Sequence, residues 1–290
     1  MAVKRSPKNS VSKRTPSRPA SVRKKKNPPA FNWKIPVTIL LLVLLSPLYY
    51  GYVLRIFTST FWWLKDIGVK PGYHSYDDFN IPIPKNFTVH GIDVSYYQGK
   101  IDWHKVKAMK EEDVKIKFAF IKATEGVLLV DPYFQRNWRE APKAGIVVGA
   151  YHFFRPEKSG RWQARFFLQN AKPEKGDLPL VVDIETLDGV AASQMRKELR
   201  AFIKHIESNT DTKPIIYTNL SFYEDYLKGD FDNYTLWIAN YYKSKLKVDA
   251  GTKWKFWQHS DRATIDGINH VVDMNVFKGD SLAFDQMRIQ

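Results

Sequence analysis

Short apolar runs alternate with amphipathic runs along residues 86–290. The apolar runs are rich in Val, Ile and Phe, as in buried strands, whereas the runs between them repeat apolar positions with helical spacing. The predicted strands are 89–95, 118–123, 147–154, 180–185, 214–218, 236–239, 255–259 and 274–277. The predicted helices are 103–112, 133–144, 160–170, 191–208 and 220–227.

The order of these elements predicts the fold class. Strands that alternate with helices imply a parallel sheet, and about eight of them in this length imply a compact α/β structure, a modified TIM-type β/α barrel. Helical periodicity weakens after residue 228, so the barrel is expected to have fewer helices than strands. An open doubly wound sheet is the alternative. No Gly-rich phosphate loop follows a predicted strand, which counts against a nucleotide-binding version of that sheet.

A different pattern precedes the barrel. Residues 35–57 are strongly apolar, and 36–53 contain no charge. Eighteen residues of helix span roughly 27 Å, close to the thickness of a bilayer core. Bulky Tyr, Phe and Trp residues follow, where a signal peptide would place small residues for cleavage. We therefore expect a single N-terminal transmembrane helix at 35–57, an uncleaved signal anchor that contacts the lipid bilayer.

The net charge of +15 is concentrated before this segment. Residues 1–34 hold eleven Lys and Arg and no acidic residue, whereas the rest of the chain holds 34 basic and 30 acidic residues. We interpret 1–34 as a disordered basic cytoplasmic tail and 58–85 as a juxtamembrane linker. The positive-inside rule then places 86–290 on the periplasmic or extracytoplasmic side. A nucleic-acid-binding arm is the alternative for the tail, but the adjoining membrane segment explains its charge, so no nucleic-acid partner is expected.

Acidic residues occur where the predicted strands end, the position of active sites in β/α barrels. Asp183 and Glu185 are two apart on one strand and should face the same side. Two adjacent carboxylates do not both ionise easily, so one can keep the proton that glycosidic cleavage needs. Such a pair alone could equally begin a solvated loop. Asp93 and Asp273 at two other strand ends make a catalytic cluster of four acids the stronger interpretation.

Aromatic and polar residues near the same strand ends are candidates for substrate binding. Five aromatic residues, Trp257 among them, lie near enough to stack on sugar faces, although aromatic residues on strands more often belong to the core and only some of the five are expected to touch substrate. His152 is a candidate for substrate contact, although a structural role fits it better. A metal-dependent hydrolase with Asp93, His152, Asp183, Glu185 and His259 as ligands is a rival, although the spacing shows no two-histidine ligand pair. The predicted substrate-binding residues are Tyr151, His152, Tyr217, Trp237, Tyr241 and Gln258.

Eight motifs in this order resemble those of the family 25 glycoside hydrolases, the lysozymes or N-acetylmuramidases. They cover about 190 residues, and residues 1–85 lie outside the resemblance. The motifs are GIDVSYYQGKIDW (91–103), FAFIKATEG (118–126), GAYHFF (149–154), LPLVVDIE (178–185), IIYTN (215–219), LWIANY (236–241), FWQHS (256–260) and VDMNVF (272–277).

The resemblance implies hydrolysis of the β-1,4 bond between N-acetylmuramic acid and N-acetylglucosamine in peptidoglycan, without metal or cofactor. We separately expect the catalytic domain to be monomeric. By position, Glu185 would be the general acid and Asp183 a partner that tunes its charge and positions the substrate's acetamido group. Asp93 and Asp273 would be the outer acids. The second carboxylate's role stays open between nucleophile, base and helper of the substrate's N-acetyl group. A non-catalytic glycan-binding barrel and a chitinase-like specificity are the alternatives.

Overall fold

The computed structural model describes residues 73–290. The predicted tail (1–34), the predicted membrane segment (35–57) and residues 58–72 of the predicted linker lie outside the described residues. Within 73–290, no helix is both long and apolar enough to cross a membrane.

A β-hairpin occupies the last part of the predicted linker. Strands β1 (Tyr73–Tyr76) and β2 (Ile81–Pro84) pair in antiparallel register. Phe79, Ile81 and Ile83 are fully buried, and the backbone N–H of Thr264 donates to the carbonyl of Phe79 at 3.0 Å. The linker prediction is therefore wrong for 73–84, because three apolar side chains of this segment are buried in the core of the domain.

Eight further strands close into a barrel. The order is β3-β5-β7-β8-β9-β10-β11-β12, and β12 pairs back onto β3, which excludes the open doubly wound sheet. The short β4 and β6 pair only with β5. The strands after the hairpin are β3 (His90–Val94), β4 (Lys110–Glu111), β5 (Val114–Glu125), β6 (Leu129–Val130), β7 (Val147–Phe153), β8 (Val181–Asp183), β9 (Ile215–Asn219), β10 (Leu236–Ala239), β11 (Trp254–Ala263) and β12 (Val272–Phe277).

Strand β12 departs from the predicted parallel arrangement. All barrel neighbours are parallel except β12, which runs antiparallel to both β11 and β3. The connection between β11 and β12, residues 264–271, contains no helix, and only a crossover of sufficient length can return the chain to start a parallel strand. As a result, the start of β12 lies beside the end of β3.

Helices cover only part of the barrel, as the sequence predicts. The segments 240–253 and 264–271 contain none. A π-helical turn, Tyr223–Leu227, directly follows α5. The helices are α1 (Trp103–Ala108), α2 (Phe134–Lys143), α3 (Gly160–Asn170), α4 (Ala192–Thr210), α5 (Leu220–Phe222) and α6 (Ser281–Asp285).

The barrel interior below the mouth is filled by aromatic rings. Phe120 stacks on Trp237 with ring centroids 4.3 Å apart, and Phe118 packs edge-on against Phe256 at 5.4 Å. Phe284 of α6 packs at 5.4 Å from Phe118 and closes the end opposite the mouth. This solid interior leaves only the mouth, at the carboxyl ends of the parallel strands, for polar side chains.

Candidate active site

The four predicted acids gather at the mouth. Asp93 ends β3 and is the direct cross-strand partner of Asp273 at the start of the antiparallel β12. Asp183 ends β8, and Glu185 lies two residues further along the chain, close enough for its charge to act on Asp183. Burial is the main cause that raises the pKa of Asp93, Asp183 and Asp273, and the like charge of Glu185 adds to the rise for each of them, so all four carboxyl groups share one electrostatic environment.

The acids form two close pairs, Asp183 with Glu185 and Asp93 with Asp273. Burial is the main cause that raises the pKa of Asp183 well above its usual range, and repulsion from Glu185 adds to it. The pKa of Asp273 is raised in the same direction by burial and by Asp93. Each pair therefore retains a proton at pH values at which isolated carboxyls have lost theirs.

Asp93 is held by two side-chain amides. Its Oδ2 atom accepts from Nε2 of Gln258 at 2.7 Å and from Nδ2 of Asn275 at 2.8 Å. Burial raises the pKa of Asp93 to about 6, although these two hydrogen bonds favour the charged form. The predicted site residue Gln258 thus contacts an acid of the site directly.

Both amides are oriented by donors behind them. The indole Nε1 of Trp237 donates to Oδ1 of Asn275 at 2.7 Å, and the hydroxyls of Tyr217 and Tyr241 donate to Oε1 of Gln258 at 2.8 and 2.7 Å. An indole nitrogen only donates, so the amide nitrogen of Asn275 must face Asp93. Trp237, predicted to bind substrate, is buried and acts in the structure as a support beneath the acids.

One oxygen of the acid cluster is buried without a partner among the described residues. Asp183 is 5% exposed, and its Oδ1 accepts no hydrogen bond. Buried polar atoms are normally satisfied, and exceptions concentrate at functional positions. Glu185 is more accessible than Asp183. The pair therefore presents the accessible carboxyl of Glu185 and, behind it, the buried Oδ1 of Asp183, which accepts no hydrogen bond from the described residues.

His152 does not reach the mouth. Along β7, Tyr151 faces the barrel interior and His152 the helical layer, where its Nδ1 lies 2.7 Å from Oγ1 of Thr124 and its Nε2 lies 3.2 Å from Oε1 of Gln163. Its ring is fully buried and stacks on Phe202. The substrate-contact interpretation is wrong, because strand alternation points this side chain away from the acids.

The two histidines of the rival metal site are not brought to the acids. His152 faces the helices, and His259 lies beside Trp257 with neither ring nitrogen partnered in residues 73–290. Trp257 itself is buried, and its Nε1 donates to the carbonyl of Asn240. Among the described side chains, no group of three or more His, Cys, Asp and Glu is arranged to hold a metal ion.

Sequence reasoning missed Asn275 and a charged network at the rim. Asn275 is two residues from Asp273, so the spacing that linked Asp183 to Glu185 could have identified it. In the network, Glu125 pairs with Lys122 at 2.7 Å and with Arg155 at 2.6 Å. A bulge after Lys122 turns Glu125 to the side of the mouth and Thr124 outward. Lys122 lowers the pKa of Asp183 and so opposes the effect of burial.

Several known proteins are similar to this chain in sequence or in the barrel fold. YegX of Escherichia coli K12, an uncharacterized protein, is 44% identical over 238 residues, which are 82% of this chain and 87% of YegX. Lysozyme M1 of Streptomyces globisporus is 36% identical over 66% of this chain and 68% of its own. The structure of a bacterial lysozyme from Streptomyces coelicolor superposes with a TM-score of 0.64 and 33% identity, and covers 70% of this chain and 98% of that one.

The family profile described as Glycosyl hydrolases family 25 matches residues 92–268. The match spans the barrel from β3 to the loop before β12 and includes Asp93, Asp183 and Glu185. With more than half of the sequence matched and a relative 44% identical over most of its length, this chain belongs to the glycosyl hydrolases of family 25.

Proposed function

We propose that this protein is a muramidase that hydrolyses the β-1,4 bond between N-acetylmuramic acid and N-acetylglucosamine in peptidoglycan. The observation that carries the proposal is the Asp183–Glu185 pair, which retains a proton at the mouth of a barrel whose opposite end is closed. Two relatives named as lysozymes support the substrate class.

Glu185 is the proposed proton donor. Glycosidic cleavage needs an acid that is still protonated near neutral pH and can reach the leaving-group oxygen. The pair keeps a proton because both groups cannot ionise together in a buried site, and Glu185 is its accessible member.

Asp183 is the proposed positioning group for the substrate's acetamido group. Its unpartnered Oδ1 is an acceptor without a donor, and an acetamido N–H at that position would satisfy it. An acetamido group held there can assist departure of the leaving group. Asp93 and Asp273 form the second proton-sharing pair, and the amides of Gln258 and Asn275 hold Asp93 in place.

A matched pair of variants tests the acid. Glu185→Gln removes the proton donor with almost no change of shape, so it should reduce the release of reducing ends from purified peptidoglycan by at least a thousandfold. Glu224→Gln makes the same chemical change at an exposed position outside the site and should be as active as the parent. Thermal unfolding confirms that both variants fold. Activity of Glu185→Gln near that of Glu224→Gln would refute the assignment.

We also propose that residues 35–57 anchor the enzyme in the membrane, with the N-terminus cytoplasmic and the barrel outside. The support is the uncharged run 36–53 and the eleven basic residues before it. Protease added to spheroplasts should digest the barrel and leave a reporter fused to the N-terminus intact. Digestion of the reporter while the barrel stays intact would indicate the opposite orientation.

A further inference from the structure

A groove on the outer wall of the barrel lies between α3 and α4, apart from the acid cluster. It encloses about 750 Å³. The eleven residues of α3 give it a length of about 16 Å, enough for an extended chain rather than a single ion. Its lining residues are Arg161, Trp162, Arg165, Leu168, Gln169, Lys172, His205 and Asn209.

The lining of this groove carries positive charge and no negative charge. Arg161, Arg165 and Lys172 are exposed, and none of them forms an ion pair within residues 73–290. Most other arginines of the domain do have polar partners: Arg155 pairs with Glu125, for example, and Arg200 pairs with Asp230. Arg161 and Arg165 lie four residues apart on α3, so their guanidinium groups are on one wall of the groove. Uncompensated guanidinium groups on one wall favour an anionic ligand that they can contact through paired hydrogen bonds.

His205 reports the same positive field. Burial is the largest cause that lowers the pKa of His205, and the charges of Arg161 and Arg165 lower it further. A neutral His205 adds a hydrogen-bonding group to the groove instead of a fourth cation. The two arginines therefore lie close enough to act on one ligand together.

Trp162 gives the groove an aromatic surface. Its side chain is 59% exposed, unusually high for a tryptophan, and Arg165 covers the ring at 5.3 Å. Exposed Trp combined with Arg is the composition of binding hot spots. Gln169 and Asn209 add neutral amides, which match hydroxyl and acetamido groups.

We infer that the α3–α4 groove is a second binding site for a carboxylate-bearing glycan strand of the cell wall, which holds the enzyme on its polymer while the barrel mouth cleaves. The inference rests on the proposed function for its substrate class. The sugar faces pack on Trp162, and the carboxylates of the lactyl groups or stem peptides pair with Arg161 and Arg165. A nucleic acid would need the cations but not the two neutral amides, and the chain's own basic tail would be repelled.

The test separates binding from cleavage. The full chain in detergent, carrying Glu185→Gln, is sedimented with lipid-free cell-wall sacculi. Arg161→Glu combined with Arg165→Glu should weaken binding at least tenfold, and Trp162→Ala at least threefold. The matched control, Lys197→Glu with Lys247→Glu, makes the same charge change at exposed positions outside the groove and should bind as the parent does.

Kinetics of the same variants with Glu185 restored complete the test. The Arg161→Glu, Arg165→Glu variant should lose rate on sacculi but keep the parent rate on a soluble tetrasaccharide, which is too short to span both sites. Unchanged binding of this variant to sacculi would overturn the inference. The inference would also be overturned if DNA competed with sacculi for the parent protein as strongly as soluble glycan strands do. Failure of the proposed function looks different, because the parent would then release reducing ends from neither substrate.

Discussion

At the scale of single residues, the orientation of two side-chain amides determines which hydrogen bonds Asp93 accepts. Asn275 is fixed by Trp237, which can only donate, and Gln258 is fixed by two tyrosine hydroxyls. Burial and the surrounding carboxylates raise the pKa of Tyr217 and Tyr241 well above the usual range, so both hydroxyls remain donors. The amide nitrogens therefore point at Asp93 permanently, before any substrate arrives.

Removal of the two hydroxyls should be non-additive. Tyr217→Phe or Tyr241→Phe alone leaves one donor on Oε1 of Gln258, so each should lower kcat at most about threefold. The double variant frees the amide to rotate and should lower kcat at least thirtyfold. Steady-state kinetics on peptidoglycan, with thermal unfolding as a check of the fold, measures this. A double variant whose loss equals the product of the single losses would show that the amide is held by other contacts.

The pH dependence of stability should reveal the buried charge of Asp93. Its pKa is raised to about 6, so its contribution to stability is complete below the unfolded value near 4 and is lost as the pH rises through 6. The Asp93→Asn variant has no carboxyl at this position, so it does not lose stability through this ionisation as the pH rises. The free energy of unfolding of this variant, relative to the parent, should therefore rise by about 1–3 kcal/mol between pH 4.5 and 7.5.

Urea denaturation at the two pH values measures this change. Asp225→Asn, the same substitution at an exposed position, is the control and should show no comparable trend. A difference between parent and Asp93→Asn that stays constant with pH would mean that Asp93 is equally charged in the folded and unfolded states.

The sequence identified the acids but not every orientation. Spacing by two identified Asp183 and Glu185 as neighbours, and the two carboxyls do act on each other although β8 ends at Asp183. The same reasoning left His152 undecided, since alternation alone does not say which face of a strand is the interior. Hydrogen bonds from neighbouring elements, such as those of Trp237 to Asn275, join residues 38 apart and have no signal in local sequence.

At the scale of the elements, the interior rings are accommodated by glycines on the neighbouring strands. A Cβ atom on Gly91 of β3 would lie 2.5 Å from the ring of Phe118, and one on Gly149 of β7 would lie 2.7 Å from Phe120. Neither glycine has a positive φ, so the close approach of the ring rather than the backbone conformation requires the glycine.

Gly91→Ala should therefore destabilise the barrel by about 1–3 kcal/mol, the usual cost of overpacking, as measured by urea denaturation. Gly251→Ala, at a position where an added Cβ meets nothing within 4 Å, is the matched control and should change stability little. Phe118→Leu in the Gly91→Ala background should recover part of the loss. A neutral Gly91→Ala would indicate that the ring of Phe118 moves without cost.

The strands and helices were largely predictable, because each apolar run is short, buried and bounded by polar residues. The direction of β12 was not predictable, because the same apolar pattern is compatible with parallel and antiparallel pairing. The hairpin of β1 and β2 was also missed. Its polar and Pro-rich sequence suggested a linker, and only the tertiary contacts of Phe79, Ile81 and Ile83 make it part of the domain.

At the scale of the whole molecule, the barrel places its acids at one end and its uncompensated arginines on the outer wall. Family membership follows from the sequence and the fold, whereas the bond that is cleaved depends on how the Asp183–Glu185 pair meets a sugar. If the enzyme is a muramidase, the leaving group is the N-acetylglucosamine unit and N-acetylmuramic acid carries the new reducing end.

Identification of that reducing end is the most direct test. Peptidoglycan digested by the full chain is reduced with borohydride and analysed by mass spectrometry, with Glu185→Gln as the inactive control and chitin as the alternative polymer. We expect products that end in reduced N-acetylmuramic acid and no products from the control. Products that end in reduced N-acetylglucosamine, or cleavage of chitin in preference to peptidoglycan, would contradict this expectation.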